Sequence, residues 1–532
     1  MTLLSIESLS VRYGDSVAVE DVSLAVAAGQ VVGLVGESGS GKSTLAFATI
    51  GLLPASARTG GRIIVDGQDV TTLDITARDR MRGGTVGMIF QEPMTALNPM
   101  MTIGAQVAET IRLHRRLGRR AAREETARVL ARVGLPPEVA PPSRYPHELS
   151  GGQRQRVAIA IAIAAGPRLL IADEPTTALD VTTQARIMDL LRALVAEEGM
   201  GLLLVSHDLA LVTEHADAIV VMKDGRVVEA GAARTVMTMP GEDYTRRLLA
   251  RTRHVPVRTA IVDPAAAPLL EVDGVRRIYR GGTMLRRTEK VAVEDARFEL
   301  RAGETVGLVG ESGSGKTTLL RTILALDTPQ AGAVRLRGEA LTGARGADLR
   351  RLRRDIQAVF QDPYGSFDPR HTVERVVAEP LHLLDTQPAP DERRTKVERA
   401  LSQVGLKPEH ADRYPHAFSG GQRQRIAIAR ALIVEPALVV LDEAVSALDV
   451  SVRADILDLL ADLSGRLGLA YLFVSHDLSV MRAVTDRILV MQAGRIVEQG
   501  PTEQVMTTPN HPYTAALLAA TPDLDRALSQ AR

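Results

Sequence analysis

The sequence predicts an α/β protein of two tandem domains, each with a parallel-sheet core and a helical insert. An internal repeat, unbroken aliphatic strands alternating with helix-length segments, and a strand–glycine loop–helix unit in each half predict it. GLVGESGSGKST at Gly33–Thr44 returns as GLVGESGSGKTT at Gly307–Thr318, an offset of 274, while YPHELSGGQRQRVAIA from Tyr145 and LLVSHDLALV from Leu203 return in slightly altered form 269 residues later. Constant order with a small drift marks duplication followed by loop insertions and deletions. A single core stops growing at about 250–300 residues, so the 532 residues hold two.

Taken in chain order, VVGLVG, LLIAD, LLLVS and IVVM in the first half match TVGLVG, LVVLD, YLFVS and ILVM in the second. Aliphatic strands without polar alternation belong to a parallel sheet covered on both faces. Between Gln91 and Ser150 the pattern is helical only, as in AAREETARVLARVGL, where Gly134 can end a helix. The expected domains are 1–251, with a helical insert about 92–150, and 269–532, with one about 362–419. The Pro- and Ala-rich stretch 252–268 is the expected linker. From Tyr279 to Lys316 the second copy is eight residues longer than the first copy from Tyr13 to Lys42; the extra residues around GGTMLRRTEK are expected to form a surface loop.

Composition narrows the function classes. Lys plus Arg equals Asp plus Glu at 64 each, so no global field draws the chain to nucleic acid, and aromatics at 3% offer bases little stacking surface. With no cysteine, thiolate metal sites and disulfides are excluded, and a reducing compartment is expected. The longest apolar run noted, Val157–Ala165, falls far short of the roughly 20 residues needed to span a bilayer, and no secretory signal is read at the N-terminus.

The chemistry begins at the glycine loops. Gly36, Ser38, Gly39, Gly41, Lys42, Ser43 and Thr44, with Gly310, Ser312, Gly313, Gly315, Lys316, Thr317 and Thr318, form two phosphate-binding loops, each after an apolar strand and before a helix. Glycines let backbone N–H groups turn onto phosphates, the helix presents its positive end, and the lysine adds a point charge. Ser43 and Thr317 offer a hydroxyl to Mg2+. LLIAD and LVVLD end in Asp173-Glu174 and Asp442-Glu443, at the sheet edge where parallel α/β folds bind ligands. Asp173 and Asp442 suit indirect Mg2+ coordination; Glu174 and Glu443 suit polarisation of an attacking water.

These residues together resemble the ATP-binding-cassette (ABC) ATPase family, and Leu149-Ser150-Gly151-Gly152-Gln153, with Phe418-Ser419-Gly420-Gly421-Gln422, separates it from other phosphate-loop ATPases. The resemblance implies two tandem P-loop NTPase domains, each with a helical and an antiparallel β subdomain beside its parallel core. It implies ATP and Mg2+ as ligands, with Lys42 and Glu174 facing Ser419, Gly420 and Gly421, and Lys316 and Glu443 facing Ser150, Gly151 and Gly152. It further implies that Gln91 and Gln361 link Mg2+ and water to the membrane-domain contact. On the same basis His207 and His476 sense the γ-phosphate, Asp180 and Asp449 communicate across the pair, and Tyr13 and Tyr279 stack on adenine. Departures are mild: Ala444 stands for Pro175, Phe418 for Leu149 and Arg430 for Ile161, and both sites are expected to hydrolyse ATP.

Within the family the chain resembles ATPases of dipeptide, oligopeptide and nickel importers, in the fused form of glutathione-type and microcin-type peptide uptake systems, on FQEPMTALNPMMTIG, FQDPYGSFDPRHTV, YPHELSGG and the tail Pro509-Asn-His-Pro-Tyr-Thr-Ala-Ala-Leu-Leu, echoed at Pro240-Gly-Glu-Asp-Tyr-Thr-Arg-Arg-Leu-Leu. That implies two membrane-spanning permease subunits, an extracytoplasmic solute-binding protein, one fused chain per transporter, no nucleic acid, and a cytoplasmic place on the inner face of the cell membrane. Sugar-importer and exporter motors, and twin cassettes of translation or DNA repair, are the alternatives. The basic run Arg112–Arg123 reads as a solvated helix face.

Overall fold

The computed structural model describes residues 1–91, 96–177, 179–259, 262–283, 286–362, 365–446 and 448–530. Contacts divide the chain into two compact units, Met1–Arg253 with Pro522–Arg532, and His254–Thr521.

In the first unit Thr2–Tyr13 (β1), Ser16–Ala27 (β2), Ala57–Val65 (β4) and Gln68–Asp69 (β5) make an antiparallel sheet ordered β2-β1-β4-β5. Val31–Val35 (β3), Val86–Ile89 (β6), Leu169–Asp173 (β7), Gly201–Val205 (β8), Ala218–Lys223 (β9) and Arg226–Ala232 (β10) make the core sheet, ordered β10-β9-β3-β8-β7-β6. Its first five strands in chain order run parallel, and only β10 pairs antiparallel, on β9. Every residue of β3, β7 and β8 is buried, as a sheet covered on both faces requires. One apolar cluster joins Leu4, Val11 and Val26 of the antiparallel sheet to Leu34, Ile171 and Leu203 of the core sheet and to Leu45 and Ala46 of the helix Lys42–Thr49. That helix is thus held by both sheets. The insert carries helices Ile103–Arg115 and Arg119–Arg132, and the helix Gly151–Ile163 follows it; Gly134, at φ 75°, ends the second as its sequence suggests.

The second unit repeats this plan. Leu270–Thr283 (β11), Arg286–Leu300 (β12), Ala331–Leu336 (β14) and Glu339–Ala340 (β15) form the antiparallel sheet β12-β11-β14-β15. Thr305–Val309 (β13), Ile356–Val359 (β16), Leu438–Asp442 (β17), Ala470–Val474 (β18), Arg487–Gln492 (β19) and Arg495–Pro501 (β20) form the core sheet β16-β17-β18-β13-β19-β20.

Three places differ from the sequence expectation. The insert around GGTMLRRTEK is not an irregular loop. It lengthens the β11–β12 hairpin, with Gly281 opposite Thr288, Gly282 opposite Arg287 and Thr283 opposite Arg286, while Met284 and Leu285 lie outside the described residues. Main-chain pairing carries a strand there despite a loop-like composition. The start of the expected linker packs on the second unit: Arg258 pairs with both carboxylate oxygens of Asp486 at 2.7 Å, and His254 meets Asp458 at 2.6 Å. The terminal helix Leu524–Gln530, expected in the second domain, packs instead against the helix Leu209–His215 of the first unit, and Asp525 pairs with Arg253.

His215, at the end of that helix, is only 9% exposed; burial and then Arg192 push its imidazole down from 6.5 to about 4, with Asp189 acting the other way. It is neutral in the fold and gains a proton on unfolding between those values. The unfolded chain therefore binds more protons in this window, and stability falls as pH drops through it, by about 3 kcal/mol. His215→Gln is expected to lose less melting temperature than the wild type between pH 7 and pH 4.5; equal losses would refute the buried neutral imidazole.

Candidate functional site

In a parallel sheet all carboxyl ends lie along one edge, so the segments after β3, β6, β7 and β8 gather there. After β3 comes the loop holding Gly36, Ser38, Gly39 and Gly41, closed by the helix Lys42–Thr49 with Ser43 and Thr44 in its first turn. The buried Lys42 ammonium donates to the Gly36 and Glu37 carbonyls at 2.7 and 2.9 Å, so the cation rests on the loop's own backbone. Gly36 sits at φ 151°, where a Cβ would lie 2.2 Å from the Met222 carbonyl oxygen. The second loop reproduces this: Lys316 donates to Gly310 and Glu311 at 2.6 and 2.9 Å, and a Cβ on Gly310 would meet the Met491 carbonyl at 2.2 Å. Gly313, Gly315, Ser312, Thr317 and Thr318 occupy the matching places around the helix Lys316–Ile323.

Beyond β7, Asp173 is 3% exposed. Burial raises its pKa and the Glu174 charge adds to this, while the Ser43 hydroxyl, hydrogen-bonded to it, and Lys42 act in opposition. Its Oδ1 is buried without a hydrogen-bond partner among the described residues. An orphaned carboxylate oxygen beside a serine hydroxyl fits a hard divalent cation, directly or through water. Asp442 is pushed up to about 6, by burial and by Glu443, with Lys316 opposing.

Glu174 adopts φ 48°, a left-handed backbone rare for a side chain of this kind, and its N–H is tied to the Val205 carbonyl at 2.9 Å. The carboxylate is surrounded. Gln91 Nε2 donates to Oε2 at 2.9 Å, the Thr177 hydroxyl donates to the same oxygen at 2.9 Å, and His207 Nδ1 lies 3.0 Å from Oε1. Burial opposes its charge, yet His207, Thr177 and Gln91 together hold its pKa down to about 2. Glu443, at φ 51°, is likewise tied to Val474 and lies 3.3 Å from His476 Nδ1. Its pKa is also lowered: against burial, His476 and then Lys316 favour the anion, and His476 is raised in return. The Ser446 hydroxyl, at the position of Thr177, donates to the Glu443 backbone carbonyl instead of the carboxylate.

The serine-glycine segments start helices. Ser150 caps Gly151–Ile163, accepting from the Gln153 N–H while Gln153 accepts from the Ser150 N–H; Ser419 and Gln422 do the same for Gly420–Leu432. A Cβ on Gly152 would meet Thr183 at 2.5 Å, and one on Gly421 would meet Val452 at 2.4 Å, so each helix packs its second glycine on the next helix. Asp180 caps that helix by accepting from Thr183, while Asp449 makes no side-chain cap. Phe418, in place of Leu149, is buried edge-on to His410. Arg430, in place of Ile161, donates to the Ser366 carbonyl and hydroxyl.

Of the remaining expectations, Tyr13 packs on the first unit's core. Tyr279 donates its hydroxyl to Asp327 at 2.9 Å, with the Arg277 guanidinium 4.7 Å from its ring centroid. Gln361 is exposed just past the end of β16. Ala178 and Ala447, two residues before Asp180 and Asp449, and Glu92–Thr95 and the pair 363–364, which fall in the quoted FQEP and FQDP stretches, lie outside the described residues. Thr177 was not anticipated; its only signal was a hydroxyl three residues past the carboxylate.

A family model described as ABC transporter matches residues 19–177 and 293–446, more than half of the chain, and takes in both lysine loops and both Asp-Glu pairs. The chain belongs to the ABC transporter family. It is an ABC ATPase with two nucleotide-binding cassettes. A second model, the C-terminal region of oligopeptide/dipeptide transporters, matches residues 497–532. The peptidoglycan transport ATP-binding protein YejF of Agrobacterium fabrum is 46% identical over 97% of this chain and 96% of its own. The glutathione import ATP-binding protein GsiA of Salmonella choleraesuis is 44% identical over 98% of this chain and 90% of its own. Among solved structures, an ATP-binding cassette captured as a post-hydrolysis dimer with ADP and Pi is 30% identical, covering 44% of this ABC ATPase and 98% of that chain, with a TM-score of 0.40. Among the described residues no helix is long and apolar enough to cross a membrane.

Proposed function

We propose that this ABC ATPase energises an importer of peptides or related small solutes, in the class that includes dipeptides, oligopeptides, glutathione and nickel. It works from the inner face of the cell membrane with two permease subunits and an extracytoplasmic solute-binding protein. The observation that carries the hydrolytic part is the pair of ionised, histidine-held carboxylates, Glu174 and Glu443, beside the lysine loops. The substrate class rests on the C-terminal region match and on the relatives' names.

In this reading the phosphates of ATP take over the lysine ammoniums of Lys42 and Lys316, and the backbone N–H groups of both loops cradle them. Mg2+ would be held by Ser43, Asp173 and Gln91, and by Thr317, Asp442 and Gln361; when bound it neutralises charge on the transferring phosphate. Glu174, anionic well below neutral pH, orients and polarises the attacking water, and His207 carries a donor to the γ-phosphate; Glu443 and His476 do the same in the second cassette. Hydrolysis then drives a conformational cycle in the permease, reached through the segments at Gln91 and Gln361.

Photocrosslinkers placed next to Gln91 and Gln361 are expected to capture a membrane protein in native vesicles, and the copurified solute-binding protein is expected to carry a peptide or peptide-like solute. Crosslinks that never reach a membrane protein, or cosedimentation with ribosomes instead, would refute transport.

A further inference from the structure

Each phosphate loop has a tyrosine behind it, supplied by the segment that follows the last strand of its core sheet. In the second cassette the Glu311 N–H donates to the Tyr513 hydroxyl at 3.0 Å, across 202 residues of sequence. Glu311 is also the residue whose carbonyl accepts from Lys316 at 2.9 Å. The tyrosine therefore pins the same residue that supplies the lysine's resting acceptor.

Tyr513 is itself anchored. The Glu498 carboxylate, on β20, accepts from the Asn510 and His511 N–H groups at 2.7 and 3.1 Å, and the His511 ring accepts from the Tyr513 N–H at 3.1 Å at the start of the helix Pro512–Ala520. The first cassette repeats the glutamate anchor. Glu229 on β10 accepts from the Gly241 and Glu242 N–H groups at 2.7 and 3.3 Å, and this places Tyr244 at the start of the helix Asp243–Thr252. The Tyr244 hydroxyl is buried near Glu37, the counterpart of Glu311, but makes no hydrogen bond among the described residues; burial and the Glu37 charge push its pKa up to about 12. Both cassettes keep the same glutamate anchor and bring a tyrosine to the same loop residue, and the second adds the direct hydrogen bond.

We propose that Tyr513 is a positioning residue for nucleotide binding in the second cassette. It holds the phosphate loop in the receptive shape through Glu311, so that the segment after the core sheet sets ATP affinity without touching the nucleotide. This rests on the reading of the glycine loops as the nucleotide sites. A loop already fixed gives up less conformational freedom when phosphates arrive, and loss of one neutral hydrogen bond converts to an affinity change of about three- to tenfold.

The test uses the full chain carrying Lys42→Ala, so that a fluorescent ATP analogue with Mg2+ reports the second loop. Adding Tyr513→Phe, which removes only the hydroxyl, is expected to raise the analogue's Kd about three- to tenfold. In the nucleotide-free chain it is expected to speed amide hydrogen exchange in the peptide 307–316 while leaving 497–521 unchanged. An unaltered Kd, or faster exchange spread over 497–521 as well, would overturn the positioning role. Wild-type affinity in a Lys42→Ala/Lys316→Ala chain would instead overturn the nucleotide-site reading beneath it.

Discussion

Replacing both Glu174 and Glu443 with glutamine is expected to lower ATP turnover by about a hundredfold or more, the range lost with a general base or water-orienting carboxylate. Glutamine keeps the size and shape of the side chain, so the left-handed turn and the tie of each backbone N–H to the neighbouring strand survive. What disappears is the anion that His207, Thr177 and Gln91 stabilise at the first site and His476 at the second. Nucleotide affinity should be retained, because the lysine loops are untouched. Phosphate release by the purified chain, with each single substitution beside the double, measures the effect. Both singles are expected to lower turnover; a silent single would mean that its site does not hydrolyse ATP.

Gly36→Ala should be strongly destabilising to the first cassette. The new Cβ would lie 2.2 Å from a main-chain carbonyl that belongs to the core sheet and cannot swing aside, at a φ of 151° that side chains rarely adopt. The cost is about 3 kcal/mol, or about 6–12 °C in the first cassette's melting transition. Gly39→Ala, three residues on, is the control. At φ 81° it strains the backbone but meets no atom within 4 Å, so about 1–2 kcal/mol is expected. Scanning calorimetry of the two variants decides; equal losses would mean that the Met222 carbonyl is free to move.

Much of this was legible before the fold was known, and the reasons differ by element. Strands β3, β7 and β8 read directly because burial on both faces forces uninterrupted aliphatic residues, and their parallel arrangement brings Lys42, Glu174 and His207 to one edge. The hairpin of β11 and β12 did not read as strand, because glycine and arginine there carry no alternation and the pairing is made by main-chain groups. The Thr177 hydroxyl was invisible for another reason: only the sharp backbone at Glu174 folds it back onto the carboxylate. The docking of Leu524–Gln530 on the first unit and the reach of Tyr513 to Glu311 are long-range contacts, for which short-range periodicity holds no information, although the echo of the tail motif at Pro240 marked the segment as repeated.

The backbone at Glu174 and Glu443 sets a conflict between durability and work. Positive φ at a glutamate costs on the order of 1 kcal/mol that glycine would recover. A laboratory lineage selected only for surviving heat would therefore be drawn toward glycine at these two positions and would arrive at a sturdier but idle protein. Any effort to harden this motor should leave those turns alone and look for its gains in the surface helices.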